Sequence, residues 1–233
     1  MSLLSIRDLR VCYDTTEVVH GVSLDIEEGK VSAILGVNGA GKSALALAVA
    51  GLASATGSIS FLGRPLDSIP SWTRSHLGIA LVQEGRRLFH RMSVEENLRL
   101  AAWRRGRSAP EVNRQLSFVE EIFPVLKRKL RDPSSRLSGG EQQMLAVGQG
   151  LMTFPKLLIL DEPTAGLAPR IVTEMLNAIR QLADEGYSTV VIDQSVATAR
   201  RLAETAFVMR VGNLVRTVPV GAIDDAMVAE FLT

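Results

Sequence analysis

Apolar residues along the chain follow two rhythms. Three short runs, VSAIL at 31–35, LLIL at 157–160 and TVVI at 189–192, are almost wholly aliphatic or β-branched. Such runs suit strands buried on both faces of a parallel sheet covered by helices. Further strand-like runs lie at 3–6, 22–26, 57–61, 79–82, 206–209 and 214–218. Between several of them, helices are expected over 42–53, 93–104, 111–123, 140–153, 170–184, 195–203 and 224–231. Strands alternating with helices predict an α/β fold. The stretch 84–136 departs from this rhythm: it is rich in charge and helix formers and has no strong buried strand. It reads as a helical insertion within the α/β core.

Composition narrows the class. With 233 residues and a hydrophobic fraction of 46%, the chain is long and apolar enough for a real core and too apolar for disorder. A formal net charge of +1 argues against a general polyanion binder. Local basic clusters exist, Arg86-Arg87 and Lys127-Arg128-Lys129. These read as solvated helix ends, with contact to a nucleic acid or anionic lipid as the alternative. The single Cys12 excludes an intramolecular disulfide and a cysteine zinc cluster, and suits a reducing, cytoplasmic compartment. No apolar signal region opens the chain. The uncharged stretch 43–63 breaks into Gly, Ser and Thr after Ala50, so it reads as a buried helix, a turn and a strand, not a membrane span.

The strongest local signal is Gly36-Val37-Asn38-Gly39-Ala40-Gly41-Lys42-Ser43, a G-x-x-x-x-G-K-[ST] loop between an apolar strand and an apolar helix. Its glycines let successive N–H groups curl toward phosphate oxygens, and the helix adds its positive end. Lys42 supplies a charge between the β- and γ-phosphates, and the Ser43 hydroxyl can ligate Mg²⁺.

A nucleotide site also needs an acid, and the run 157–160 delivers Asp161-Glu162 at its carboxyl end. Asp161 is expected to hold Mg²⁺ through water, and Glu162 to polarise the attacking water. Ser138-Gly139-Gly140 heads a further helix 23 residues before Asp161. It reads as a second anion site, with a plain serine N-cap as the rival reading. Two phosphate-binding helix starts flank the insertion, which suggests that two chains share each nucleotide.

Leu137–Gln143 (LSGGEQQ) resembles the signature of ABC-type ATPases, and with the phosphate loop and the acidic strand in this order the resemblance covers essentially the whole chain. It implies one ABC ATPase domain over 1–233: a P-loop, RecA-like core with an antiparallel β subdomain and a helical subdomain inserted at about 84–153. Two such domains would sandwich two ATP molecules with Mg²⁺, head to tail. Tyr13 matches the adenine-stacking aromatic; a half-exposed strand tyrosine is the alternative. Ser138, Gly139 and Gly140 would act on the partner's nucleotide, and the Ala44 N–H would serve the α-phosphate. The residues EGRRLF at 84–89, MSVEENL at 92–98, GGEQQML at 139–145 and GLAP at 166–169 are similar to the second ATPase subunit of branched-chain amino-acid importers. Importers of urea and short amides are related.

Several positions depart from the general ABC pattern. Glu84 occupies the slot of the usual coupling-loop Gln, which by the resemblance makes it a metal residue with Ser43 and Asp161, and Gln194 occupies that of the switch histidine. Ala168 replaces an Asp, and Val37 and Ala44 replace Pro and Thr. The changes at 84, 168 and 194 resemble the branched-chain subfamily. The resemblance implies an ATPase subunit driving a transmembrane permease fed by a solute-binding protein. It would lie peripherally on the cytoplasmic face of the inner membrane, paired with itself or a related ATPase. A DNA-repair ATPase of the same superfamily is a rival, but the coiled-coil insertion and basic charge it needs are missing, so no nucleic-acid partner is expected. A non-hydrolysing regulatory subunit is the other rival, and Glu162 argues against it.

Overall fold

A computed structural model describes residues 2–103, 106–224 and 226–228. Ten strands form two sheets: β1 (Ser2–Tyr13), β2 (Thr16–Glu27), β4 (Ala55–Phe61) and β5 (Arg64–Pro65) make an antiparallel sheet in the order β2-β1-β4-β5. The second sheet runs β10-β9-β3-β8-β7-β6, built from β3 (Val31–Leu35), β6 (Ile79–Val82), β7 (Leu157–Asp161), β8 (Ser188–Asp193), β9 (Thr205–Arg210) and β10 (Asn213–Pro219). All its pairs are parallel except β9 with β10.

The period of two along a strand assigns the faces. In β7, Leu157 and Ile159 enter a core shared with the antiparallel sheet and α1 (Lys42–Val49), while Leu158 and Leu160 enter a second core on the opposite face. In β8, Val190 and Ile192 face the first core and Val191 the second. The second core also takes in the helices between β6 and β7: α3 (Val94–Ala102), α4 (Ala109–Ile122), α5 (Pro124–Arg128) and α6 (Gly139–Met152), with α7 (Pro169–Asp184) after them. The runs that read as two-sided strands are indeed buried on both sides.

Helix starts are set by capping. Ser93, Ser108 and Ser138 each accept from the backbone N–H three residues on, and Glu96, Glu111 and Glu141 reach back to the cap's own N–H. Ser195 caps α8 (Val196–Leu202) by accepting from Thr198.

Several elements differ from the sequence expectation. The strands expected at 3–6 and 22–26 are parts of a long hairpin, β1 with β2. The expected helix 42–53 ends at Val49, because Gly51 turns at φ +73° and the Arg74 guanidinium takes the Ala48 and Val49 carbonyls. A short α2 (Ser71–Leu77) carries that Arg74, and the pattern gave no sign of it. The expected helix 224–231 is helical over the described residues 226–228; 225 and 229–233 lie outside them, as does 104 of the helix expected over 93–104.

Candidate nucleotide site

Strand order assembles the site. β3, β8, β7 and β6 are parallel neighbours, so the segments leaving their carboxyl ends meet along one edge. The phosphate loop follows β3, Gln194 follows β8, Asp161 ends β7 with Glu162 behind it, and Glu84 stands two residues past β6. Because β8 lies between β3 and β7, Gln194 is placed between the loop and the acids.

The loop closes onto α1 at Gly41, whose φ of +93° suits glycine, and an added Cβ there would stand 2.7 Å from the Val18 carbonyl oxygen. That contact also seats the end of the β1–β2 hairpin beside the loop. Tyr13 pairs with Thr16 at the hairpin tip and is 46% exposed. Lys42 is buried and folds back, donating to the carbonyls of Gly36 at 2.8 Å and Val37 at 3.0 Å. Burial pushes the ammonium's pKa down, while Glu162, Asp161 and Asp193 pull it up. With three N–H donors, it must give up at least one of these carbonyls to reach oxygens of two phosphates. The sites of Asn38, Gly39 and Ser43 are exposed, whereas Gly36, Ala40 and Ala44 are buried. Ala44 packs in the first core, which accounts for an apolar side chain there.

Asp161 is buried, and its Oδ1 has no hydrogen-bond partner. Burial pushes its carboxyl up; Glu162 and Glu84 add to this, and the Ser43 hydroxyl and Lys42 oppose it. An orphaned buried carboxylate oxygen beside a serine hydroxyl fits a hydrated divalent cation. Among the described residues no cluster of three His, Cys, Asp or Glu could hold a metal alone. Glu84 is exposed and acts on Asp161 through its charge.

Glu162 sits at φ +47°, a left-handed conformation that costs a non-glycine residue energy and is held by its N–H bond to Ile192 O at 2.9 Å. Gln194 Nε2 donates to Glu162 Oε1 at 3.0 Å and to Asn38 Oδ1 at 2.8 Å. The amide therefore ties the acid to the phosphate loop. Asp193, which sequence reasoning passed over, organises this corner. Its Oδ1 accepts the N–H groups of Gln194 and Ser195 at 2.7 and 2.9 Å, and its Oδ2 accepts from the Thr164 hydroxyl at 3.2 Å.

The second helix start stands apart: among the described residues no hydrogen bond joins Ser138, Gly139 or Gly140 to the phosphate loop. Ser138 and Gly139 are exposed. Two residues read as solvated basic positions turn inward here. Arg86 donates toward Gln143 and Gln142 at 3.3 and 3.4 Å, and Lys129 pairs with Glu141. Beside Arg86 runs a groove of about 510 Å³ between β6 and the helices α3 and α6, lined by Leu81, Gln83, Arg86, Arg87, Phe89 and Gln149.

A family model described as ABC transporter matches residues 19–165. The high-affinity branched-chain amino acid transport ATP-binding protein BraG of Pseudomonas aeruginosa is 40% identical over 214 residues, 91% of each chain. The probable branched-chain amino acid transport ATP-binding protein LivF of Archaeoglobus fulgidus is 32% identical over 208 residues, 88% of this chain and 87% of its own. A solved structure of an ATP binding subunit of an ABC transporter is 29% identical with a TM-score of 0.82, covering 94% of this chain and 90% of that one.

Proposed function

The chain belongs to the ABC transporter family and is an ATPase of it, and from that premise we propose that it powers import of branched-chain amino acids through a membrane permease. The likeness to BraG and LivF supports the solute. The observation that carries the chemistry is Glu162 held 3.0 Å from Gln194 Nε2, which also grips Asn38 of the phosphate loop at 2.8 Å.

In this reading Gly36–Ser43 and the Ala44 N–H cradle the phosphates of ATP, and Tyr13 stacks on the adenine. Lys42 leaves the loop carbonyls for the β- and γ-phosphates. Ser43 and Asp161 would hold Mg²⁺, with Glu84 adding negative charge nearby. Bound there, Mg²⁺ would neutralise phosphate charge as the terminal bond breaks. Glu162 takes the proton of the attacking water. Gln194 orients that carboxylate and the γ-phosphate, and being an amide it holds no exchangeable charge near neutral pH.

Ser138–Gly140 serve the nucleotide of a second ATPase subunit, so two chains close on two ATP molecules. The helical subdomain, about 84–153, carries the motion to the permease, whose cytoplasmic segment sits in the groove beside Arg86 and Arg87. The chain then lies peripherally on the cytoplasmic face of the inner membrane; among the described residues no helix is long and apolar enough to cross a membrane.

The test is Glu162→Gln. ATP binding should persist while phosphate release falls by about 10²–10⁴-fold. An unchanged kcat would remove Glu162 from the role of base. Identifying the permease and binding protein that co-purify from native membranes tests the solute: a urea- or amide-binding protein would overturn the branched-chain reading.

A further inference from the structure

The head of α6 poses an electrostatic problem. Its free N–H groups suit an anion, yet its first turn carries the carboxylate of Glu141. An uncompensated negative charge there would oppose an approaching triphosphate. Lys129, at the end of α5, meets that charge: its ammonium donates to both Glu141 oxygens, at 2.7 and 2.8 Å. The two side chains are 34% and 15% exposed, so the pair is partly sheltered from water.

The same carboxylate accepts the Ser138 N–H at 2.8 Å, and the Glu141 N–H donates back to Ser138 Oγ at 3.4 Å. As an acceptor in that bond, the Ser138 hydroxyl keeps its own proton free to donate. Burial pushes the Glu141 carboxyl up, but Lys129 and Ser138 more than reverse this and hold it below the ordinary carboxylate range. On the other flank the Arg86 guanidinium stands 3.1 Å from where a Cβ on Gly139 would be, and among the described residues it is bonded to the neutral amides of Gln142 and Gln143. With Lys129 the charges of Arg86, Lys129 and Glu141 leave this helix start positive; without Lys129 they cancel.

We propose that Lys129 is a positioning residue for the second anion site: it cancels the charge of Glu141 at the head of α6 and holds the carboxylate that fixes Ser138 toward a partner copy's nucleotide. The inference rests on the two-chain reading above. A purely structural clamp between α5 and α6 predicts something different, because it would need the ion pair itself and not the neutralisation.

The experiment uses the full chain in a Glu162→Gln background, which retains ATP. Each copy carries both a phosphate loop and a Ser138 helix start, so two copies can form both sites. Association in Mg-ATP is measured by sedimentation, ATP binding to the dilute monomer by a fluorescent nucleotide, and folding by Tm. Lys129→Met should weaken ATP-dependent association by about tenfold per site, the size of a unit charge about 10 Å away at an effective dielectric of about 20, and so by about 10²-fold for a dimer that contains two such sites. Monomer ATP binding should stay unchanged.

Lys129→Arg should lie within about threefold of the parent. Lys129→Met combined with Glu141→Gln should also recover to within about threefold, because the amide keeps an acceptor for the Ser138 N–H and carries no charge. A double variant as weak as Lys129→Met, or a Lys129→Met chain that associates like its parent, overturns the proposal. A parent that binds ATP but never associates refutes a sandwich of two copies of this chain, and this inference, stated for such copies, falls with it, whereas pairing with a related ATPase and the import function are left to the co-purification test.

Discussion

Replacing Gln194 with Ala removes one nitrogen that serves two acceptors at once, Glu162 Oε1 at 3.0 Å and Asn38 Oδ1 at 2.8 Å. A hydrogen bond to a charged group contributes about 1.5–3 kcal/mol and one between neutral groups about 0.5–1.5 kcal/mol. Gln194 is exposed, so water replaces part of both bonds in the free protein, and the low end of each range applies. A loss of about 2 kcal/mol, felt when bound nucleotide excludes that water, corresponds to about 30-fold in kcat. KM for ATP should rise by less than about threefold, because the phosphate loop and Lys42 carry the ground-state binding. The assay is steady-state phosphate release against ATP concentration, repeated across pH for the parent, Gln194→Ala and Gln194→His. One imidazole N–H can replace one of the two bonds, so Gln194→His should keep substantial activity. It should also show a pH dependence near 6–7 that the amide cannot produce. Full activity in Gln194→Ala, with kcat and KM both unchanged, would make Gln194 only a polar residue at a strand end. A raised KM with normal kcat would make it a ground-state ligand and refute its role in orienting Glu162.

Three further outcomes are expected. Asp161→Asn should raise the Tm of the nucleotide-free protein by several degrees, since burying a charged carboxylate costs more than burying a neutral amide in the same place, and should abolish the further rise on adding Mg-ATP. The folded Asp161 carboxyl titrates above its ordinary 3.8, so it binds protons that the unfolded chain has lost; its contribution to stability falls as pH rises through that window, and calorimetry across pH should find this slope missing in Asp161→Asn. High salt or alkaline washing should strip the chain from membranes that retain the permease, and firm retention on protein-free vesicles after such a wash would contradict docking by protein contact.

The phosphate loop, the acidic end of β7 and the two-sided strands were legible because each is a local pattern: a glycine spacing, or an unbroken apolar run with acids at its end. The long hairpin was not, because bulges shift the phase of its alternation. In β1 the buried positions run Leu4, Ile6 and then Leu9, Val11, with Asp8 at φ +46° where the register slips. In β2 the same break falls at Gly21, between Val19 and the series Val22, Leu24, Ile26. Helix α2 has no apolar face to betray it; it is held by Arg74, which donates to the carbonyls of Leu66, Ile69, Ala48 and Val49.

The residue types at the site were readable in order along the chain, but their meeting was not. Gln194 reaches both Asn38 and Glu162 only because β8 is inserted between β3 and β7, a strand order that parallel crossovers permit and no local pattern encodes. Likewise Lys127-Arg128-Lys129 reads as three equivalent surface charges, and packing alone singles out Lys129, by bringing the end of α5 against the first turn of α6. Local chemistry depends on neighbours within a few residues, so the sequence by itself determined the motifs. The pairing of charges and amides across tens of residues depends on how strands are ordered and helices packed, and that only the tertiary structure decided.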